Sequence, residues 1–221
     1  MPNWVRNNVE IEGNKHDIDR LLSVCNIGDN QFSFEGIIPR PKELGMIAGG
    51  WDDKYIKYYK AVRDNNMSLM PSAEEIAELE KEAPRYWYEE NPNVTAYEVG
   101  ERYVKNKLEY GAVSWYNWCC DNWDTKWDSC DAYVSRKSDN DVEIMFDTAW
   151  SAPINVYCNI MEQFPLLHIH VQYADEDLGR NCGIWDSENG LDAFDDLEFA
   201  CEVWGYDVDE ILAEREEWEN E

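Results

Sequence analysis

Three His among 221 residues leave little room for imidazole chemistry. Two of them, His168 and His170, lie two apart in the alternating run Leu167–Tyr173. On a strand, side chains i and i+2 project together. With a carboxylate from elsewhere, such as Asp175, two imidazoles so placed have the makings of a metal site. Leu167, Ile169 and Val171 fill the other face, so the simpler reading is the polar face of a half-buried sheet. Asp175-Glu176-Asp177, followed by Gly179, offers oxygen ligands suited to Mg or Ca. Neither this segment nor Asp186-Ser187-Glu188-Asn189-Gly190 has the spacing of a calcium loop, and both are expected to be solvated turns. Trp115, Trp118, Trp123 and Trp127 have the faces to stack nucleic-acid bases. Lys126 is the lone basic residue near them among several Asp, so they are expected in the core. No Ser-His-Asp grouping, Gly-rich phosphate loop, HExxH or kinase signature is present. The expectation is therefore no enzyme, no catalytic residue, no bound metal and no cofactor. A metal-dependent enzyme using His168, His170 and Asp175 is one alternative. A non-enzymatic accessory or interaction protein with an unrelated target is another.

The chemistry that remains is electrostatic. The chain carries 47 Asp and Glu against 19 Lys and Arg, a net charge of -28. From Ala174 to Glu221 there are eighteen acidic residues and two basic ones, Arg180 and Arg215. Such a field repels nucleic acid and attracts basic surfaces, including those that hold nucleic acid. Acidic disordered tails are poor in aromatics, whereas this chain is 14% aromatic and 44% hydrophobic, so it is expected to fold. No apolar run approaches the roughly 20 residues needed to cross a bilayer. Met1-Pro2-Asn3-Trp4 does not resemble a secretory segment, and the seven Cys include no CxxC pair. These features predict reduced thiols and a cytoplasmic protein with no membrane partner.

Periodicity supplies the scaffold. Val5, Val9 and Ile11 predict a strand over 5–12 that stops at Gly13. Ile18, Leu21, Leu22 and Cys25 predict a helix over 15–26. Gln31-Phe32-Ser33-Phe34 suggests a second strand ended by Pro39 and Pro41. Three helical patterns follow: Trp51–Asn65, a helix capped by Ser72 and Glu75, and Val94–Tyr110. Ala132 to Phe146 predicts a hairpin around Ser138-Asp139-Asn140-Asp141. Pro153 starts a helix that Pro165 ends, and Leu167–Tyr173 is a strand. Cys182–Asp186 suggests a last short strand. Two acidic helices then complete the chain. One has Phe194, Leu197, Cys201 and Trp204 as its apolar stripe and ends at Gly205. The other turns Val208, Ile211, Leu212 and Trp218 inward. The order β-α-β, helical insertion, β-β-α-β implies an α+β, ferredoxin-like antiparallel sheet with helices on one face. Residues 1–45 and 113–185 form its halves, 46–112 the insertion and 186–221 an acidic helical extension.

Several segments are similar to a family of uncharacterised phage and plasmid proteins called YubB-like or Api-like. Met1-Pro2-Asn3-Trp4 with Asn7-Asn8 resembles its start. Phe32–Leu44 (FSFEGIIPRPKEL) resembles its IIP-x-P-x-E-L stretch. Asn122–Asp128 (NWDTKWD) resembles its NWGTKW segment, with Asp124 in place of the usual Gly. Phe146–Pro153 (FDTAWSAP) resembles its F-x-TAWSPP, and Tyr173–Gly183 its Y-x-E-x-x-G-x-x-G turn. The matches cover most of the chain outside the insertion. The resemblance implies a ferredoxin-like domain and a mobile-element origin, and it supplies no catalytic residues.

On a helix, residues three or four apart have Cβ atoms about 5–6 Å apart, comparable with the spacing of charges along a nucleic-acid strand. Asp192, Asp195, Glu198 and Glu202, with Asp196 beside them, can form one such row. Asp209, Glu210, Glu214 and Glu217 can form another. The expected function is that of an acidic phage protein acting in the host cytoplasm. It would bind the basic surface of a host nucleic-acid-binding defence complex by mimicking nucleic acid, as an anti-CRISPR or anti-restriction inhibitor. These nine carboxylates are the candidate partner-binding residues.

Overall fold

A computed structural model describes residues 3–219. The chain divides into two compact units, residues 1–39 with 122–221, and residues 40–121.

The first unit is a six-stranded antiparallel sheet in the order β2-β3-β1-β4-β5-β6. Its strands are β1 (Trp4–Glu12), β2 (Cys130–Ser138), β3 (Asp141–Ala149), β4 (His168–Asp175), β5 (Cys182–Asp186) and β6 (Gly190–Phe194). With α1 (Lys15–Cys25) and α6 (Ile154–Gln163), the first four strands make the split β-α-β-β-α-β of a ferredoxin-like fold. Val5, Val9, Ile11, Val142, Ile144, Phe146, Ile169 and Val171 are all buried on one face, as period-two alternation demands. Both helices cover that face. Tyr157 of α6 donates its hydroxyl to Asn7 Oδ1 at 2.9 Å, and Arg20 of α1 stacks on Phe164 just beyond α6. Asn7 is fully buried and donates in turn to Val5 O and Thr148 Oγ1. The first residue of the Asn7-Asn8 pair is thus a satisfied core polar group.

The second unit holds α2 (Asp52–Arg63), α3 (Ala73–Tyr86), α4 (Ala96–Tyr110) and most of α5 (Trp115–Trp123). Met46, Tyr55, Leu79, Val99 and Tyr103 make its core. The expected Ser72–Glu75 capping box forms, and Thr95 with Glu98 makes a second one for α4. Gly100 lets α2 and α4 meet: a Cβ there would lie 2.3 Å from the Tyr55 carbonyl oxygen. The helical unit begins before residue 46 and ends after 112.

Three expectations change. Gln31–Phe34 is not a strand, and Phe34–Gly36 is a short 3-10 helix. Asp128 accepts from the Ser33 hydroxyl and the Phe34 amide, and Phe32 and Phe34 turn into the core together. The segment 182–194 is a β5–β6 hairpin, so Asp192 and Phe194 lie on a strand and the next helix, α7 (Leu197–Trp204), starts later. The final helix, α8 (Val208–Glu219), forms where expected but lacks the expected anchor stripe. Leu212 is exposed, and Val208 and Ile211 are half-buried. Trp218 lies outside the described side chains.

Candidate interaction surface

The charge is unequally divided between the units. The sheet unit holds 32 acidic against 8 basic residues, a net of -24, and the helical unit 15 against 11, a net of -4. The acidic excess therefore lies in the ferredoxin-like unit, two-thirds of it in residues 174–221.

Within it, one sheet face lies under α1 and α6, and α7 covers only one end of the other. There the Arg6 guanidinium stacks on the Trp204 ring at 4.3 Å and Asn8 donates to Val203 O. The remainder stays open, and register decides what it displays. Glu10 faces Glu143 on β3 and His170 on β4, and Glu12 faces Asp141 and His168. Like charges placed directly opposite destabilise a sheet. Lys137 reaches Glu143 at 2.7 Å. Neither Glu10 nor Glu12 meets a Lys or Arg within ion-pair distance among the described residues, and both are exposed. Beside them lies an open basin of about 460 Å³ lined by Glu10, Glu143, Lys137, Tyr133, Met145 and Gln172. Tyr133 and Met145 are exposed apolar surface within this charged frame.

His168 and His170 do share a face, but not with Asp175. Asp175 pairs with Val5 on the opposite face and is occupied by Asn3 and Asn181, so the His168–His170–Asp175 grouping does not form. Both imidazoles approach Asp186 Oδ2, at 3.5 Å from His168 and 3.2 Å from His170. Asp186 Oδ1 accepts from the Glu188 and Asn189 amides and from Asn189 Nδ2. Those donors, the Glu188 amide first, bring its carboxyl down to about 2. Asp186 thus folds the β5–β6 turn. No group of three or more His, Cys, Asp or Glu among the described residues is arranged to hold a metal.

The nine candidate carboxylates do not form the two expected rows. Asp192 is on β6. Asp195 accepts from the Asn181 amide, and Asp196 caps α7 through the Phe199 amide. Only Glu198 and Glu202 remain as a helical pair on α7, both exposed. Asp209, Glu210, Glu214 and Glu217 are all exposed along α8. The carboxylates that sequence periodicity missed, Glu10, Glu12, Asp141 and Glu143, are brought together by strand register alone.

A second concentration lies where residues 3–4, 122–128, 148–155 and 175–181 converge. Three non-Gly residues with positive φ are linked there: Asp124 (60°), Trp150 (77°) and Asn181 (46°). Ser151 donates its hydroxyl to the Asp124 carbonyl, and Asn181 Nδ2 donates to the Trp150 carbonyl at 3.1 Å. Asp and Asn tolerate this region, but a bulky Trp does not, at a cost of about 1–3 kcal/mol. The positive φ of Asp124 explains a Gly in the similar motif. Here the Asp carboxylate receives the Asn155 amide at 2.7 Å at the start of α6, and burial raises its pKa. Of the Trp residues expected in the core, Trp118 and Trp123 are buried. Trp115 and Trp127 are only half-buried, and Trp127 packs at a tilt against Trp4 with ring centroids 5.9 Å apart.

Residues 122–214 match the family model described as the ferredoxin-like domain in Api92-like protein. A solved structure, the crystal structure of a protein api92 from Yersinia pseudotuberculosis, matches with a TM-score of 0.49 at 10% identity. The match covers 88% of this chain and 98% of that one. No curated protein matches this chain.

Proposed function

We propose that this chain is a non-enzymatic, acidic docking protein of phage or plasmid origin. It acts in the host cytoplasm by occupying the basic surface of a nucleic-acid-binding defence complex. The outcome is inhibition of the anti-CRISPR or anti-restriction type, through imitation of nucleic-acid charge. One observation carries this reading: a net charge of -24 on the sheet unit, including carboxylates opposed across β1 and β3. A purely solubilising surface gains nothing from repulsive pairs inside its own sheet, whereas a surface meeting a basic partner is relieved of that repulsion on binding. The exposed carboxylates of α7 and α8 extend the same sign of charge.

The test uses capture from host extract with the full chain and with a variant carrying Glu10→Lys, Glu12→Lys, Glu198→Lys and Glu202→Lys. The captured complex is expected to be released as salt rises and to be displaced by an added DNA or RNA oligonucleotide. It is expected to be absent from the variant, whose circular dichroism stays native. Capture that survives high salt, ignores the oligonucleotide and persists in the variant would overturn the proposal.

A further inference from the structure

We propose that β6 is a docking edge to which an extended basic segment of the partner adds as a further strand, a proposal that rests on the docking reading above. In an antiparallel sheet, every second residue of an edge strand turns its amide and carbonyl outward. Such edges are commonly closed by bulges, charges or a covering group. The β2 edge is closed in this way. Its pairing with β3 is broken between Cys130 and Tyr133 and again between Arg136 and Ser138. The Val134 amide donates to Gln31 Oε1 at 3.1 Å, and Arg136 and Lys137 stand on the strand. The β6 edge is not closed. Its register with β5 is unbroken from Gly190 to Phe194. No strand pairs with its outer side among the described residues, and Gly190, Leu191, Asp192 and Ala193 are all exposed.

The side chains of β6 define what pairs with it. Leu191 faces Trp185 across the hairpin, and Trp185 packs against Tyr157 of α6. Leu191, 51% exposed, therefore offers an apolar step on the helix-covered face. Asp192 faces Ile184 and projects from the opposite face. Glu188 before the strand and Asp195 and Asp196 after it are exposed. From Ala174 onward the only cations are Arg180 and Arg215. Arg215 is bonded to the Leu178 carbonyl, and Arg180 precedes Cys182, which pairs with Phe194 at the far end of β6. A second copy of the chain is disfavoured here, because pairing β6 with β6 would crowd the two Asp192 carboxylates and two units of net charge -24 against each other. A nucleic-acid strand is repelled by the same field. The occupant is a partner strand in which apolar residues, lying beside Leu191, alternate with Lys or Arg, lying beside Asp192.

An acetylated heptapeptide of alternating Lys and Val serves as the probe. With the full chain at low salt and saturating peptide, hydrogen exchange followed by NMR should slow about tenfold or more for at least one amide among Leu191, Asp192 and Ala193, because a main-chain hydrogen bond protects the amide that makes it. Two isomeric peptides, one N-methylated on every Val and the other on every Lys, keep the same charge and side chains. Their affinities should differ about tenfold, since only one edge of a strand faces β6 and the loss of its hydrogen bonds falls on one isomer. Asp192→Lys should weaken the unmodified peptide several-fold more than Asp209→Lys, an equal change of charge on α8. Unchanged exchange at β6 while the peptide binds, equal affinities of the two isomers, or equal losses from the two substitutions overturns strand addition and leaves the docking reading intact. Failure of all three peptides to bind overturns the docking reading and strand addition with it.

Discussion

Removing charge from the open sheet face should make the protein more stable. Glu10 and Glu12 each face another carboxylate across the β1–β3 pairing. Opposed residues have Cβ atoms about 5 Å apart. Two carboxylates about 6 Å apart in water repel by about 0.7 kcal/mol, falling to about half that at physiological salt. Lys137 at 2.7 Å from Glu143 offsets part of the first pair. Glu10→Gln with Glu12→Gln should therefore add about 1 kcal/mol at low ionic strength, or a few degrees in Tm for a chain of this size. Urea denaturation of the wild-type and doubly substituted proteins, at low salt and at about 0.5 M salt, measures it. The gain should shrink toward zero at high salt, where the Debye length falls to a few Å. A double variant that is destabilised, or whose gain ignores salt, would refute the idea that these carboxylates are held against each other.

Four further outcomes follow from the same contacts. Tyr157→Phe leaves Asn7 Oδ1 buried without its donor, so urea denaturation should show a loss of about 1–3 kcal/mol. Asp124→Ala loses the contact with α6 and keeps the left-handed turn. Asp124→Gly loses the same contact but relaxes the turn, and should be more stable than Ala by about 1 kcal/mol. Gly100→Ala pushes a methyl against the Tyr55 carbonyl, and thermal unfolding should register about 1–3 kcal/mol of overpacking. The carboxyl of Asp186 is lowered in the fold to about 2. Its contribution is therefore complete above its unfolded pKa and is lost as pH falls from about 4 toward about 2. The stability gap between wild type and Asp186→Asn should close across that window in acid titrations followed by circular dichroism.

Local signals exposed much of the fold and little of the surface. The alternation of β1 and β4, the turn between β2 and β3, the Ser72 capping box and the proline limits of α6 are set by neighbours in sequence. The ferredoxin-like order follows from them. Gln31–Phe34 misled because two aromatics two residues apart fit a strand and a tight turn equally well; Asp128, nearly a hundred residues away, selects the turn. Phe194, Leu197, Cys201 and Trp204 fall at helical spacing, but the first belongs to a hairpin whose partner strand fixes its conformation. The pairing of Glu10 with Glu143 joins residues 133 positions apart and exists only through register.

That difference moves the weight of the functional reading from the helices to the sheet. A charge presented to a partner is effective in proportion to how firmly it is held, because ordering a loose side chain or helix on binding costs entropy. The carboxylates of α8 stand on a helix whose Leu212 is exposed and whose Ile211 is only half-buried, so little apolar burial anchors them. Glu10 stands on an inner strand of the sheet between Val9 and Ile11, which are almost completely buried, Glu12 follows Ile11, and the backbone of both is paired on both sides. Asp195 and Asp196 are consumed by backbone amides. Glu10 and Glu12 are thus more firmly held than the carboxylates of α8, and Glu10→Lys should weaken partner capture more than Glu214→Lys does at equal change in net charge. Equal losses from the two substitutions would mean that net charge alone, without its placement, governs binding.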